Sequence, residues 1–122
     1  MIDKLVEKQL DWVGSSLDDL RSFPDPVQQR FGFQLYQVQI GEMPCAAKPM
    51  KGKDFRGVFE LRDNFVGDTF RAVFIAKLRE KVYVLHCFKK KSKSGIATPK
   101  KDLELIRHRL KLAIDDSKRL KK

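Results

Sequence analysis

The chemistry available to this chain sits in its cationic and imidazole side chains. His86 lies in the run Val84-Leu85-His86-Cys87-Phe88, three lysines follow it (Lys89, Lys90 and Lys91), and two arginines, Arg62 and Arg71, interrupt apolar stretches. No metal-ligand cluster, phosphate-cradling glycine loop or Ser/His/Asp order is visible, and no cofactor is implied. His, Lys, Arg and Tyr nonetheless suffice for one reaction. RNA is cut when its own 2'-hydroxyl attacks the adjacent phosphorus, and the catalyst supplies a base, an acid and positive charge for the pentacoordinate transition state.

In that chemistry His86 is the natural proton carrier, since an unperturbed imidazole titrates near ~6.5. Arg62 and Arg71 suit a phosphate clamp, because a planar guanidinium grips two phosphate oxygens at once. Lys48, Lys51, Lys53 and Arg56 fit a phosphate-guiding loop, while Phe88 and Tyr83 are candidates to stack on a base. Each has a structural counterpart. A strand histidine is held in a core by one hydrogen bond, a strand arginine points to solvent from an outer face, loop lysines are solvated, and strand aromatics are core.

These groups need elements to position them. Ser15-Ser16 followed by Asp18-Asp19 reads as a helix start that Phe23-Pro24 stops. Pro24 or Pro26 then opens a second helix with the apolar face Val27, Phe31, Leu35 and Val38, ended by Gly41. A basic, exposed loop with Pro44, Pro49 and Gly52 follows. From Gly57 the period changes to 2. Residues 58–62, 69–77 and 81–88 are expected to form a three-stranded antiparallel meander, which brings Arg62, Arg71 and the end of the last strand together. Lys89 to Gly95 reads as a polar loop. Thr98 is the expected N-cap and Pro99 the first residue of a last helix, with the stripe Leu103, Ile106, Leu110 and Ala113 on the sheet and Lys100, Lys101, Arg107, Arg109 and Lys111 facing away. A basic tail from about residue 116 to 122 is expected to fray. The fold class is α+β, in one domain spanning residues 1–122.

The net charge of +10 is unevenly distributed. Residues 1–85 hold 13 Lys and Arg against 12 Asp and Glu, whereas residues 86–122 hold 13 against 4. A concentrated basic surface gains free energy by releasing counterions condensed on a phosphate chain, so a polyanion is the expected partner; an acidic protein would serve equally. The two cysteines, Cys45 and Cys87, make no disulfide framework and read as reduced. With no secretory pattern and no apolar span, a cytoplasmic location is expected.

Taken in order, the segments resemble the phage-Gp49-like branch of the RelE/ParE toxin superfamily, which includes HigB-type toxins of toxin-antitoxin pairs. The resemblance is carried by Trp12-Val13-Gly14-Ser15-Ser16, Asp19-Leu20, Phe23-Pro24, the run from Ala47 to Gly52, Glu60-Leu61-Arg62 and Phe70-Arg71-Ala72-Val73-Phe74. Its most diagnostic block is Leu85-His86-Cys87-Phe88-Lys89-Lys90-Lys91-Ser92, followed by Ile96-Ala97-Thr98-Pro99, Asp102 and Arg109. The resemblance implies N-terminal helices and a C-terminal helix on a small antiparallel sheet. It implies an endoribonuclease that cleaves mRNA on the ribosome, with Arg62, Arg71, His86, Lys89 and Lys90 as site residues and the Lys48 to Lys53 loop on RNA. It also implies a helix-turn-helix antitoxin as partner. No tyrosine follows Lys91, so the C-terminal tyrosine of RelE itself is missing. Non-enzymatic alternatives are a ParE-like inhibitor of DNA gyrase or an RNA-binding module.

Overall fold

The computed structural model describes residues 7–78, 80–91 and 98–120. Its elements run β1 (Gln9–Trp12), α1 (Ser16–Arg21), α2 (Asp25–Gln39), β2 (Ala47–Pro49), β3 (Val58–Phe65), β4 (Asp68–Ile75), β5 (Lys81–Lys91) and α3 (Lys100–Arg119). One five-stranded sheet has the order β1-β5-β4-β3-β2. The class is α+β, with the meander β3-β4-β5 at its centre.

Two edge strands escaped the sequence reading, and one of them changes the sheet type. β1 pairs with β5 in parallel, from Gln9 opposite Lys81 to Trp12 opposite Val84, so the sheet is mixed. β2 occupies part of the expected loop and pairs antiparallel with β3, placing Lys48 opposite Glu60. Neither strand has the length to show a period of 2. The β3–β4 turn also differs, because β3 runs on to Phe65 and the reversal falls on Val66-Gly67 with φ of +49° and +82°. Two consecutive positive φ values match the twist of a tight hairpin.

Each face of the sheet buries one core. On one side α1 and α2 cover Leu61, Phe70, Ala72, Phe74, Val82, Val84 and Cys87, using the foreseen stripe Val27, Phe31, Leu35 and Val38. On the other, α3 presses Ile106, Leu110 and Ala113 onto Val58, Val73, Ile75, Tyr83, Leu85 and Phe88. The thiol of Cys87 sits in the first core, where burial pushes its pKa up to about 12.

The pairing of β4 with β5 contains a one-residue irregularity: Val73 faces His86, whereas the next residue, Phe74, faces Val84. Leu85 is the extra residue of a β-bulge. Before it, Tyr83 and Leu85 point to the α3 side. After it the parity reverses, and Phe88 joins that side while Cys87 joins the other.

The last helix departs from expectation in three places. Pro99 is its N-cap rather than its first residue, and the helix continues to Arg119, through most of the expected frayed tail. Lys121 and Lys122 lie outside the described residues. Arg109 was expected on the solvent face; it is buried, donating from Nη1 to the Leu85 carbonyl (3.0 Å) and from Nη2 to Ser15 Oγ (3.0 Å). Its guanidinium lies against Gly14, where φ is +59° and an added Cβ would come within 2.8 Å of it. Glycine is required there for both reasons.

Candidate phosphate-binding groove

The α3 face of β3, β4 and β5 gathers the cations. Arg62 and Arg71 stand directly opposite each other across β3 and β4. Like charges in that position repel. Glu60, two residues before Arg62 and so on the same face, resolves the conflict. Arg62 Nε donates to its Oε1 at 2.6 Å and Arg71 Nη1 to its Oε2 at 3.2 Å. Both members of the inner pair are buried, Glu60 at 3% and Arg71 at 2% exposure. Arg71 Nη1 also reaches Thr98 Oγ1, 3.3 Å away, just before α3, and its guanidinium lies 6.0 Å from the centre of the Phe88 ring.

Beside this cluster runs a groove of about 340 Å³, lined by Lys48, Pro49, Met50, Lys51, Glu60, Arg62, Thr98 and Leu103. Lys48 arrives there through its register with Glu60, and Arg62 forms part of the wall. Lys53 and Arg56 are exposed but do not line it.

β5 supplies the third strand of the site, phased by the bulge. Lys90 lies on the same face as Phe88, one diagonal step from Arg71, and is 9% exposed. Its ammonium is held below the usual lysine range, first by desolvation and then by the Arg71 and Arg62 cations, with Glu60 opposing. Lys89 does not join. It pairs with Phe70, on the α1–α2 face, and its Nζ lies 3.8 Å from Asp68. Alternation along a strand turns adjacent lysines to opposite sides, so Lys89 is removed from the cluster. Lys91 ends β5, and its side chain lies outside the described part of the structure.

His86 is in place but enclosed. It is 6% exposed, its Nε2 lies 2.7 Å from Asp102 Oδ1, and its Nδ1 is buried with no hydrogen-bond partner among the described residues. Its ring stacks on Phe88, with centroids 4.8 Å apart at 15°. The expectation that Phe88 stands ready to stack on a base therefore fails, because that ring is already packed between the imidazole, Arg71 and the α3 core. Tyr83 is likewise committed: it is buried and its hydroxyl donates to Asp116 Oδ2 at 2.7 Å.

Comparison with known proteins now bears on the arrangement. A family model described as phage-derived protein Gp49-like (DUF891) matches residues 18–111. The chain belongs to the Gp49-like family. Among solved structures, a mutant of the E. coli toxin RelE in its free state aligns with this Gp49-like chain at a TM-score of 0.52 and 14% identity, covering 73% of this chain and 87% of that one. The toxin-antitoxin complex RelBE2 from Mycobacterium tuberculosis aligns at 0.46 and 18% identity, covering 73% of this chain and 98% of that one. The RelE alignment shows that this Gp49-like chain has a RelE-type toxin fold. No curated protein matches it.

Several residues around the groove of the Gp49-like chain were not named as site residues from sequence. Glu60 had a usable signal, since Glu-x-Arg on a strand puts carboxylate and guanidinium on one face. Met50, Thr98 and Leu103, which line the groove, and Asp102, which meets His86, had none, because their roles depend on where α3 lands. No helix among the described residues is long and apolar enough to cross a membrane.

Proposed function

We propose that this chain is the toxin of a toxin-antitoxin pair and an endoribonuclease that cuts mRNA, working on the ribosome in the cytoplasm. The observation that carries the reading is the convergence of Arg62, Arg71 and Lys90 on one face of the sheet, beside a groove lined by Lys48 and Lys51. Family membership and the RelE-type fold support it.

The chemistry follows from the positions. One RNA linkage lies in the groove with its phosphate on Arg62, and Lys48 and Lys51 guide the flanking phosphates. Removal of the 2'-hydroxyl proton lets that oxygen bond to phosphorus. The bond from phosphorus to the 5'-oxygen breaks, leaving a 2',3'-cyclic phosphate and, once protonated, a 5'-hydroxyl. Arg62 contacts the dianionic transition state, and Arg71, beneath the surface, adds field in a poorly solvated setting where charge acts strongly. Lys90 is the proton carrier in this scheme. Its lowered ammonium pKa gives it a larger neutral fraction than a solvated lysine, as a general base needs. His86 positions rather than reacts in this scheme: Asp102 lies at Nε2, and Nδ1 is buried with no hydrogen-bond partner among the described residues.

The burial of Arg71 and His86 also favours a second reading, a protein that grips nucleic acid or gyrase without cutting. Inducing the protein and mapping transcript 5' ends separates the two. New ends within coding sequences are expected; DNA breaks with intact transcripts would instead identify a gyrase inhibitor. An antitoxin that carries a helix-turn-helix and lays acidic segments over the groove completes the pair.

A further inference from the structure

We propose that Glu60 is a positioning residue of this groove: its carboxylate presets the Arg62 and Arg71 guanidiniums as a pair and trims the charge of the cluster to what one phosphodiester neutralises. The inference rests on the reading that the groove takes RNA.

A carboxylate is an odd resident of a polyanion site, since it repels the ligand. A neutral amide would carry no electrostatic cost to binding, but it has one acceptor oxygen, and its NH2 would meet the second guanidinium donor to donor. The geometry supplies the compensation. Glu60 uses one oxygen for each arginine, at 2.6 and 3.2 Å, and this single side chain turns two opposed cations into a fixed array. Because a guanidinium is a rigid planar fork, anchoring one donor fixes the direction of the others. Arg62 retains 36% side-chain exposure and lines the groove, so its remaining donors are directed while the anchor stays dry at 4%. Preset donors lose little orientational freedom when charge develops on the phosphate. Glu60 also faces Lys48 on β2 and raises the proton affinity of Lys90 against the two arginines, so its charge is felt across all four strands of the site.

The test uses Glu60→Gln, which keeps one acceptor and removes both the charge and the second acceptor, and Glu60→Asp, which keeps the charge and both acceptors but withdraws them by one methylene. Binding is read with a 2'-O-methyl RNA oligonucleotide that cannot be cut, and cleavage with the unmodified oligonucleotide across pH. For Glu60→Gln the expected result is affinity equal to or above the parent's, with a salt dependence steeper by about 0.7 in log-log slope. Cleavage should be at least tenfold slower, with its rising pH limb displaced to lower pH. Glu60→Asp should be slowed similarly with the limb unmoved. A folded Glu60→Gln with the parent's rate and pH limb overturns the proposal, as does a parallel fall of binding and cleavage in both variants. Should Glu60→Gln fail to fold, Glu60→Asp decides: parent-like cleavage removes the positioning role. If the parent itself cuts no RNA, the nuclease reading fails separately and the binding arm decides, a steeper salt slope supporting the role of Glu60 and an unchanged slope ending it.

Discussion

The Nε2 of His86 and the Oδ1 of Asp102 are 2.7 Å apart, joining the middle of β5 to the first turn of α3. Since α3 begins just after Thr98, which accepts from Arg71, this contact fixes the helix start against the arginine cluster. A chemical role and a positioning role for the imidazole predict different things. Asp102→Asn keeps an oxygen for an Nε2–H donor and should retain most cleavage, whereas Asp102→Ala should lose cleavage and stability together. His86→Gln should leave the pH dependence of the remaining cleavage unchanged; loss of a limb near neutral pH on that substitution would return the proton-transfer role to His86.

Lys90→Met should reduce cleavage by ~100- to 10,000-fold, the range of positioned acid-base help, while RNA affinity falls only by a single phosphate contact. The pH profile gives the sign. With its pKa held below the usual lysine value, Lys90 loses its proton as pH rises through a range where a solvated lysine stays charged, so parent cleavage should climb there. The methionine variant should show no such climb. Single-turnover rates from pH 6 to 9.5 measure it.

At the far end of α3, Tyr83, Lys81 and Arg119 converge on Asp116 and hold its carboxyl below the usual range, the tyrosine hydroxyl contributing most. Tyr83→Phe should destabilise by about 1.5–3 kcal/mol, as for a hydrogen bond to a charged group. The depressed carboxyl stabilises the fold above its unfolded pKa of about 3.9, and that contribution disappears as pH falls through the lower folded value. The difference in urea midpoint between parent and Asp116→Asn should therefore be constant at neutral pH and shrink below about pH 4.

Val66 is a β-branched residue at φ +49°, 84% exposed, in a two-residue hairpin turn. Left-handed backbone costs such a residue roughly 1–2 kcal/mol, and asparagine adopts it readily. Val66→Asn should raise stability by about 1 kcal/mol, seen as a higher melting temperature with cleavage unchanged.

The legible parts of this structure were those where one residue pattern meets one environment. The stripe Val27, Phe31, Leu35 and Val38 has a single face to bury, and all four are buried. Arg62 and Arg71 came together because short turns force neighbouring strands to pair. The illegible parts depend on distant segments. β1 gains its place only by lying beside β5, some seventy residues away. Arg109 reads as one more cation of a basic helix, yet its spacing from Ile106 and Ala113 puts it on the buried side, where the Leu85 carbonyl and Ser15 receive its charge. Lys89 and Lys90 look equivalent in a row of three lysines, and only the registered sheet separates them.

The extra residue at Leu85 divides β5 into two stretches that answer to different demands. Upstream, a change of side chain alters how the helices sit on the sheet; downstream, it alters which charges gather beside the groove. Removing one residue at that point would turn the downstream half over, sending Phe88 and Lys90 toward the α1–α2 side and Lys89 toward the groove. The spacing of the strand, as much as its composition, decides which of its cations face the groove.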